Sequence, residues 1–314
     1  MIKTEKRSKK IIKNCFDSEK RLKKLKKLIT EKDITGFLVK DIKNINYLSN
    51  FTGSTAWLLI TADNNYFLTD SRYIEQAGYE TKGFIIIKYV DTIKDVLLEI
   101  TSQEKVREIH YEADIMTVKE LLTLKKAILE TNLDLKLIPG PNLTSELRMI
   151  KEPAEVEIIR EAIKISEETL QKIIPLIKPG ISERDIAIEL EYHLKKNGAE
   201  MNAFNFIVAS GERSSMPHSL ASLKTINFGE VLLIDFGIIY QSYHSDITRT
   251  FFIGRADDKA VQIYNIVKKA QETAIECISS EMKAVDLDGC ARKIIDDNNF
   301  GKFFGHGLGH GIGL

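Results

Sequence analysis

Two aspartates in the second half of the chain interrupt segments that otherwise have the pattern of buried strands. Asp235 lies in Leu-Leu-Ile-Asp-Phe-Gly, and Asp246 lies in His-Ser-Asp-Ile-Thr-Arg-Thr. A buried carboxylate is costly unless it is paired or binds a metal, and two adjacent carboxylates repel each other unless a cation lies between them. Because hard divalent ions favour oxygen ligands, we predict that both aspartates bind metal. For either aspartate alone, a strand-end carboxylate satisfied by backbone donors is the simpler interpretation.

Histidines in glycine-containing segments are candidates to complete such a site. His306 and His310 belong to His-Gly-Leu-Gly-His-Gly, where the glycines allow the backbone to approach a site closely. In an extended segment this spacing points both rings to the same face, so the pair is predicted to supply nitrogen ligands. His218 follows Pro217 in a loop and is by itself a weak indication of a site. Glycine and histidine runs also occur in ordinary loops, and that alternative stays open.

The elements that must position these residues follow a helix, helix, strand order. A long helix is predicted over 153–176, and a second helix begins at an N-cap on Ser182 and ends at Gly198. Strands are predicted over 204–209, 231–236 and 243–253. A turn at 240–242 then places the two aspartates on facing strands of one hairpin. A fainter copy of this order begins at 258, and the chain stops where its hairpin should begin.

The first half of the chain alternates helix and strand patterns, which is typical of an α/β domain. A helix rich in lysine and leucine is predicted over 18–31. The segment Ile-Pro-Gly-Pro-Asn at 138–142 is the strongest linker signal in the chain. We therefore place a domain boundary there, with a first domain over 1–140 and a second over 141–314.

The overall charge argues against several classes of partner. Forty-five basic residues balance 45 acidic ones, so nothing in the net charge favours nucleic acid or an anionic membrane. Residues 1–27 are the exception, with 12 Lys or Arg against three acids. A basic arm that binds RNA or membrane is one interpretation of this stretch, and a frayed terminus followed by a solvated helix face is the other.

The cysteines and the hydropathy pattern predict a cytoplasmic protein. The three cysteines, Cys15, Cys277 and Cys290, are an odd number without metal-ligand spacing, so a reducing compartment is expected. No apolar region follows the N-terminal lysines as it would in a secretory signal. No apolar run is long enough to span a bilayer.

Together, the aspartate pair and the segment around His310 resemble the pita-bread metallopeptidases, a family that also includes methionine aminopeptidase. The resemblance covers nearly the whole chain and is most specific over 206–218, 231–250 and 304–313. In the first half, the segments 46–54 and 68–73 resemble the accessory domain of Xaa-Pro aminopeptidases and prolidases. Methionine aminopeptidases generally lack that domain, so the resemblance favours peptides with proline in second position.

The resemblance implies an α/β (α+β) fold, with a creatinase-like N-terminal α/β domain followed by a pita-bread domain that has a curved antiparallel sheet. It implies two divalent metal ions that share a bridging water, with Mn²⁺ preferred over Co²⁺ or Zn²⁺. Position by position, Asp235, Asp246 and His310 match metal ligands. His218 and His306 match the pair that contacts substrate and stabilises the tetrahedral intermediate. The implied reaction is release of the N-terminal residue from a small Xaa-Pro peptide, by an aminopeptidase or a dipeptidase.

The sequence departs from the family pattern after His310. The family continues with a His-Glu motif and two glutamate ligands, whereas this sequence ends at Leu314. We therefore expect a C-terminally truncated, incomplete pita-bread domain that is inactive. Unpaired sheet edges predict low solubility or stability that depends on dimer formation, and a homodimer is expected. The alternative is an inert family member that acts as a peptide-binding module. A metal-free hydrolase similar to creatinase is disfavoured, because it would leave the predicted metal ligands without a purpose.

Overall fold

The computed structural model describes residues 16–314, and contacts within the chain divide it into two compact units. The first unit ends at Ala154 and also takes in Leu314, and the second unit spans Glu155–Gly313. Cys15 and the first part of the predicted basic arm lie outside the described residues. Over residues 16–314, no helix has the length and apolar character needed to cross a membrane.

The first unit is a mixed sheet with helices on both faces. Its elements are α1 (Ser18–Glu31), β1 (Gly36–Val39), α2 (Ile42–Ser49), β2 (Trp57–Thr61), β3 (Asn65–Thr69), α3 (Ile74–Glu80), β4 (Ile85–Lys88), α4 (Ile93–Gln103), β5 (Glu108–Glu112), α5 (Val118–Thr131), β6 (Lys136–Gly140) and α6 (Leu143–Met149). The strands form one six-stranded sheet in the order β4-β3-β2-β1-β5-β6. β1 pairs parallel with β5 and antiparallel with β2.

Alternation along β1 explains why both faces of this sheet are covered. Phe37 and Val39 are buried against α1 and α2, whereas Leu38 is buried in a separate core with α4 and α5. A strand that is apolar on both sides has to be covered on both sides. The predicted helix over 18–31 is confirmed as α1, and its apolar stripe, which includes Leu25 and Ile29, is buried.

The segment 138–142, predicted as a linker, is instead the end of β6 and the N-cap of α6. Tyr111 of β5 pairs with Pro139, and Glu112 pairs with Gly140. Proline is tolerated here because β6 is an edge strand of the sheet, so its missing N–H leaves no gap in a central ladder. Pairing with β5 therefore overrides the local turn signal.

The second unit begins with two long helices and continues with short antiparallel strands. Its elements are α7 (Pro153–Ile173, starting two residues before the division), α8 (Glu183–Asn197), β7 (Met201–Asn202), β8 (Ile207–Ser210), β9 (Val231–Phe236), β10 (Ile238–Tyr240), β11 (Tyr243–His244), β12 (Ile247–Phe252), α9 (Asp258–Cys277) and α10 (Ala284–Asp297). The strands form two three-stranded sheets, in the orders β11-β10-β7 and β12-β9-β8.

The main core of the second unit lies between α7, α8 and the strands β8, β9 and β12. The predicted ends of α8 are confirmed. Ser182 and Asp185 form a capping box at its start, and Gly198 ends it in the left-handed region at φ 113°. Fully buried residues such as Ile186, Leu190 and Ile234 contribute to this core.

Candidate metal centre

Asp235 lies on β9, the central strand of the β12-β9-β8 sheet. Leu232, Ile234 and Phe236 are fully buried in the core, so alternation along the strand turns Asp235 to the opposite face. Its partner across the ladder on β12 is Thr248. A sheet position of this kind holds the carboxylate in one direction, because the backbone on both sides is hydrogen-bonded.

Asp246 lies where the chain passes from β11 to β12. Ser245 and Ile247 on either side are buried, so Asp246 shares a face with Thr248. Since Thr248 stands opposite Asp235 in the ladder, both carboxyl groups come to the same side of the sheet. The two are close enough for the charge of Asp246 to act on Asp235. The hairpin thus brings the predicted aspartate pair together.

A close contact inside the hairpin explains the glycine after Asp235 and Phe236. A Cβ atom on Gly237 would stand 2.0 Å from the carbonyl oxygen of Ser245, so only glycine fits. The Ser245 hydroxyl accepts a hydrogen bond from the backbone N–H of Ile238 at 3.0 Å. The residue before Asp246 is therefore fixed against the strand that follows Asp235.

The carboxyl groups of Asp235 and Asp246 are close enough for their charges to interact. Burial raises the pKa of the Asp235 carboxyl above its ordinary value, and the nearby charge of Asp246 adds to this effect. The Thr248 hydroxyl donates to Asp235 Oδ1 at 2.8 Å, and with the nearby His310 ring it opposes the rise. Adjacent carboxylates of this type are stabilised by a cation.

The His310 ring lies beside the aspartate pair and contacts Asp246 through its Nε2 atom. Its Nε2 lies 3.3 Å from Asp246 Oδ2, and its Nδ1 lies 2.8 Å from the carbonyl oxygen of Gly311. With the proton on Nδ1, the ring presents a lone pair at Nε2, which is the atom a metal would bind. The ring is 73% exposed, so solvent reaches this side of the site.

Two backbone hydrogen bonds between His244 and Gly313 place the segment that contains His310 next to the aspartates. The N–H of His244 donates to the Gly313 carbonyl oxygen at 2.9 Å, and the N–H of Gly313 donates back to His244 at 3.2 Å. Gly313 has φ +96°, a conformation that favours glycine. Before this bridge the chain makes a 3₁₀ turn at Gly301–Phe303 and bends at His306 and Leu308. The two histidines therefore do not lie on one straight extended segment, whereas the sequence predicted that they would.

His306 therefore does not share a partner with His310. Its ring contacts the Phe304 ring edge to face at 4.9 Å between centroids, and its Nδ1 lies 2.8 Å from the Gly307 carbonyl oxygen. Arg292 on α10 donates to the His306 carbonyl oxygen at 2.8 Å. The structure thus places His306 against α10 and His310 against Asp246.

His218 lies exposed in the loop that follows β8 and the 3₁₀ turn Gly211–Ser215. The next residue, Ser219, is buried and anchors that part of the loop. The roles predicted for His218 and His306 with substrate stay predictions.

The donors near Asp235 fit a hard divalent cation in chemical type. Two carboxylates and one imidazole are ligands that Mn²⁺, Co²⁺ and Zn²⁺ all accept. Within the described part of the chain, no three His, Cys, Asp or Glu side chains are already arranged to hold an ion. Instead, Asp235 accepts from Thr248 and His310 lies against Asp246. The acidic pair and the imidazole are neighbours that must turn toward a shared ion.

Thr248 is a residue of this site that the sequence analysis did not identify. Its hydroxyl is hydrogen-bonded to Asp235, and it stands two residues beyond Asp246 on the same face. The sequence could have indicated Thr248, because residues two apart in a strand share a face and Thr248 follows Asp246 at that spacing. Threonine is so common in strands that the signal does not distinguish it from an ordinary surface position.

Two family models match the chain, and together they cover almost all of it. Residues 157–314 match metallopeptidase family M24, and residues 21–150 match the creatinase/prolidase N-terminal domain. The first match spans half of the chain. These matches agree with the predicted architecture of a creatinase-like domain followed by a pita-bread domain.

Relatives and solved structures that match nearly the whole chain agree with these matches. The Xaa-Pro dipeptidase of Pyrococcus furiosus is 34% identical over 94% of this chain and 82% of the relative. The structure of an Xaa-Pro dipeptidase from Bacillus anthracis superimposes with a TM-score of 0.90 at 35% identity, covering 95% of this chain and 82% of that one. An X-Pro aminopeptidase from Thermotoga maritima gives a TM-score of 0.83 at 37% identity, covering 93% and 82%.

Proposed function

Because the chain belongs to metallopeptidase family M24, we propose that it is a metal-dependent exopeptidase that removes the N-terminal residue from peptides with proline in second position. The observation that supports this most directly is the meeting of Asp235, Asp246 and His310 at one edge of the hairpin. The creatinase/prolidase N-terminal domain ahead of the peptidase domain supports the preference for proline. Relatives named Xaa-Pro dipeptidase and X-Pro aminopeptidase share the fold and support the same substrate class.

The proposed roles follow from the chemistry of each side chain. Asp235, Asp246 and His310 would hold a dinuclear site, with Mn²⁺ preferred over Co²⁺ or Zn²⁺. Bound divalent ions lower the pKa of a water molecule and polarise a peptide carbonyl. His218 and His306 would contact the peptide and donate hydrogen bonds to the oxygen that gains negative charge. The predicted homodimer and the cytoplasmic location are part of this proposal, and sedimentation analysis of the purified chain tests the dimer.

Metal binding is the first test. We expect calorimetric titration of Mn²⁺ into residues 1–314 to show at most one weak site. Asp235→Asn should abolish the heat signal, because one carboxylate of the adjacent pair is lost. Asp297→Asn is the matched control, since this carboxylate is exposed at the end of α10. Equal binding by Asp235→Asn and the unmodified chain would contradict the proposed ligand set.

Peptide hydrolysis is the second test. The unmodified chain is incubated with an Xaa-Pro dipeptide and an Xaa-Pro-Xaa tripeptide, with Mn²⁺ and then with a chelator in excess. Release of the free N-terminal amino acid that stops with chelator supports the proposal and contradicts the inactivity expected from the sequence. Release that persists with chelator overturns it. Peptide binding without any release favours the alternative, a family member that serves as a peptide-binding module.

A further inference from the structure

Glu183, the first residue of α8, is a fully buried acid outside the proposed metal centre. Its exposure is 0%. An acid at this position commonly serves the helix N-terminus. Here that need is already met, because Ser182 and Asp185 exchange the hydrogen bonds of a capping box. The Glu183 carboxylate is therefore free to serve another part of the structure.

The carboxylate of Glu183 accepts five hydrogen bonds from one stretch of chain. Oε1 accepts from the backbone N–H of Ser210 at 2.8 Å and from its hydroxyl at 3.0 Å. Oε2 accepts from the backbone N–H of Ser222 at 3.2 Å and from its hydroxyl at 2.6 Å. Arg213 Nε donates to Oε2 at 3.1 Å. The two serines flank residues 211–221, which we call the His218 loop.

The hydrogen bonds of Glu183 hold the two ends of the His218 loop together and also bind Arg213 within the loop. Backbone pairing reinforces the closure, because the Arg184 N–H donates to the Ser222 carbonyl oxygen at 2.9 Å. Arg213 reaches across the loop and donates to the Leu220 carbonyl oxygen at 2.7 Å. Leu220 stands two residues after His218. One buried carboxylate thus organises a loop whose outer part carries an exposed histidine.

The charge on Glu183 is maintained by these donors. Burial raises the pKa of the Glu183 carboxyl, but the hydrogen bonds from Ser222 and Ser210 outweigh burial, so the pKa lies below its ordinary value. Hydrogen bonds to a charged acceptor are stronger than neutral ones. Removing the charge would leave buried N–H groups without a full partner, and a buried donor in that state is costly.

We infer that Glu183 is a positioning residue that holds the His218 loop in the conformation in which His218 meets substrate, an inference that rests on the proposed function. Functional residues are often carried on loops that a rigid scaffold positions. Small displacements of a catalytic group reduce its effect strongly. The first turn of α8 is such a scaffold, because its inner face is anchored in the main core through Ile186.

Hydrogen exchange tests the structural part of this inference. We expect Glu183→Gln to speed exchange of peptides within 210–222 by at least roughly tenfold, while β9 stays protected. Asp185→Asn is the matched control: it weakens the cap of the same helix turn and leaves the five loop contacts in place. Unchanged exchange of the loop in Glu183→Gln overturns the inference. Should that variant not fold, Arg213→Ala is judged by the same criterion.

The histidine itself supplies a readout that general destabilisation would not move. The His218 ring proton is assigned by its loss in His218→Gln. We expect Glu183→Gln to shift or broaden that resonance and to leave His193, on the same helix, unchanged. An unchanged His218 resonance overturns the inference even where loop exchange is faster.

Substrate binding separates this inference from the proposed function. With Mn²⁺ present, Glu183→Gln should weaken binding of the dipeptide Ala-Pro by roughly tenfold relative to the unmodified chain and to Asp185→Asn. Equal affinity in a variant with a loosened loop overturns the inference. If the unmodified chain does not bind Ala-Pro, the proposed function fails, and loop exchange with the His218 resonance still decides whether Glu183 positions the loop.

Discussion

The two halves of the second unit share an order of elements but differ in what their helices bury. In the first half, α7 and α8 cover strands, and residues such as Ile158 and Ile186 are almost completely buried. In the second half, the only buried positions of α9 are Ala270 and Ala274 among the described residues, whereas Ile275 is 62% exposed. Apolar stripes alone therefore do not make a core. A helix buries its stripe only where strands or helices are available to cover it.

The polar contacts of the two halves show the same difference. In each half, an acidic side chain on the second helix accepts hydrogen bonds from a segment that contains a histidine. In the first half this acid is Glu183, which is completely buried. In the second half it is Asp288, which pairs with Arg292 and accepts from the Leu308 N–H at 2.8 Å, with side chains 22% and 34% exposed. Partly exposed pairs are screened by water and salt more than buried ones, so the second segment is held less tightly.

The largest expected difference between the halves is in the stability lost when an isoleucine is replaced by alanine. Ile186→Ala in α8 is expected to lower the free energy of unfolding by about 2–5 kcal/mol, because it opens a cavity among buried side chains. Ile275→Ala, the same change at an exposed position of α9, should stay within about 0.5 kcal/mol of the unmodified chain. Urea unfolding measures both. Equal losses would mean that α9 is covered in solution.

Hydrogen exchange should show the difference without any substitution. The helices α9 and α10 pack mainly on each other through a small cluster that includes Ala274, Ala291 and Ile295. Their amides are expected to exchange faster than those of α7 and α8 by on the order of tenfold or more, through local opening. Equal protection across all four helices would contradict the comparison.

Unfolding at low pH should show the smallest difference between the halves, but one that can be assigned to two particular acids, Glu183 and Asp288. The pKa values of Glu183 and Asp288 are both lowered in the folded chain, Asp288 chiefly by the hydrogen bond from Arg292. Each acid therefore adds stability above its unfolded pKa of about 4, and this stability is lost as pH falls through the lower folded value. Glu183→Gln should flatten the loss of stability between about pH 5 and pH 3.

Asp288→Asn is the comparison for that experiment. It should change the loss of stability at low pH less than Glu183→Gln does, and the change should shrink as salt is added, because the Asp288–Arg292 pair is partly exposed. Thermal unfolding at a series of pH values and two salt concentrations measures both variants. A larger effect of Asp288→Asn at high salt would show that the second segment is not held by a screened pair.

Local signals predicted several elements because their physical causes are local. Ser182 begins α8 with a hydroxyl that accepts from the Asp185 N–H, and Gly198 ends the helix in a left-handed conformation; a short sequence encodes both. The run of apolar residues around Asp235 predicted the strand β9. The prediction of a linker at 138–142 was wrong, because its first proline and its glycine lie in a strand stabilised by a distant partner, β5.

The amino-acid sequence by itself determined which side chains could bind metal and that two of them lie on facing strands of one hairpin, since strand patterns and turn chemistry are properties of a few neighbouring residues. Only the tertiary structure decided that His310 reaches Asp246 while His306 lies against α10, because the Gly313 bridge and the Arg292 contacts join residues far apart in the chain. It also decided that Glu183 serves the His218 loop. The partners of a buried carboxylate depend on which donors folding brings to it, and no local pattern records them.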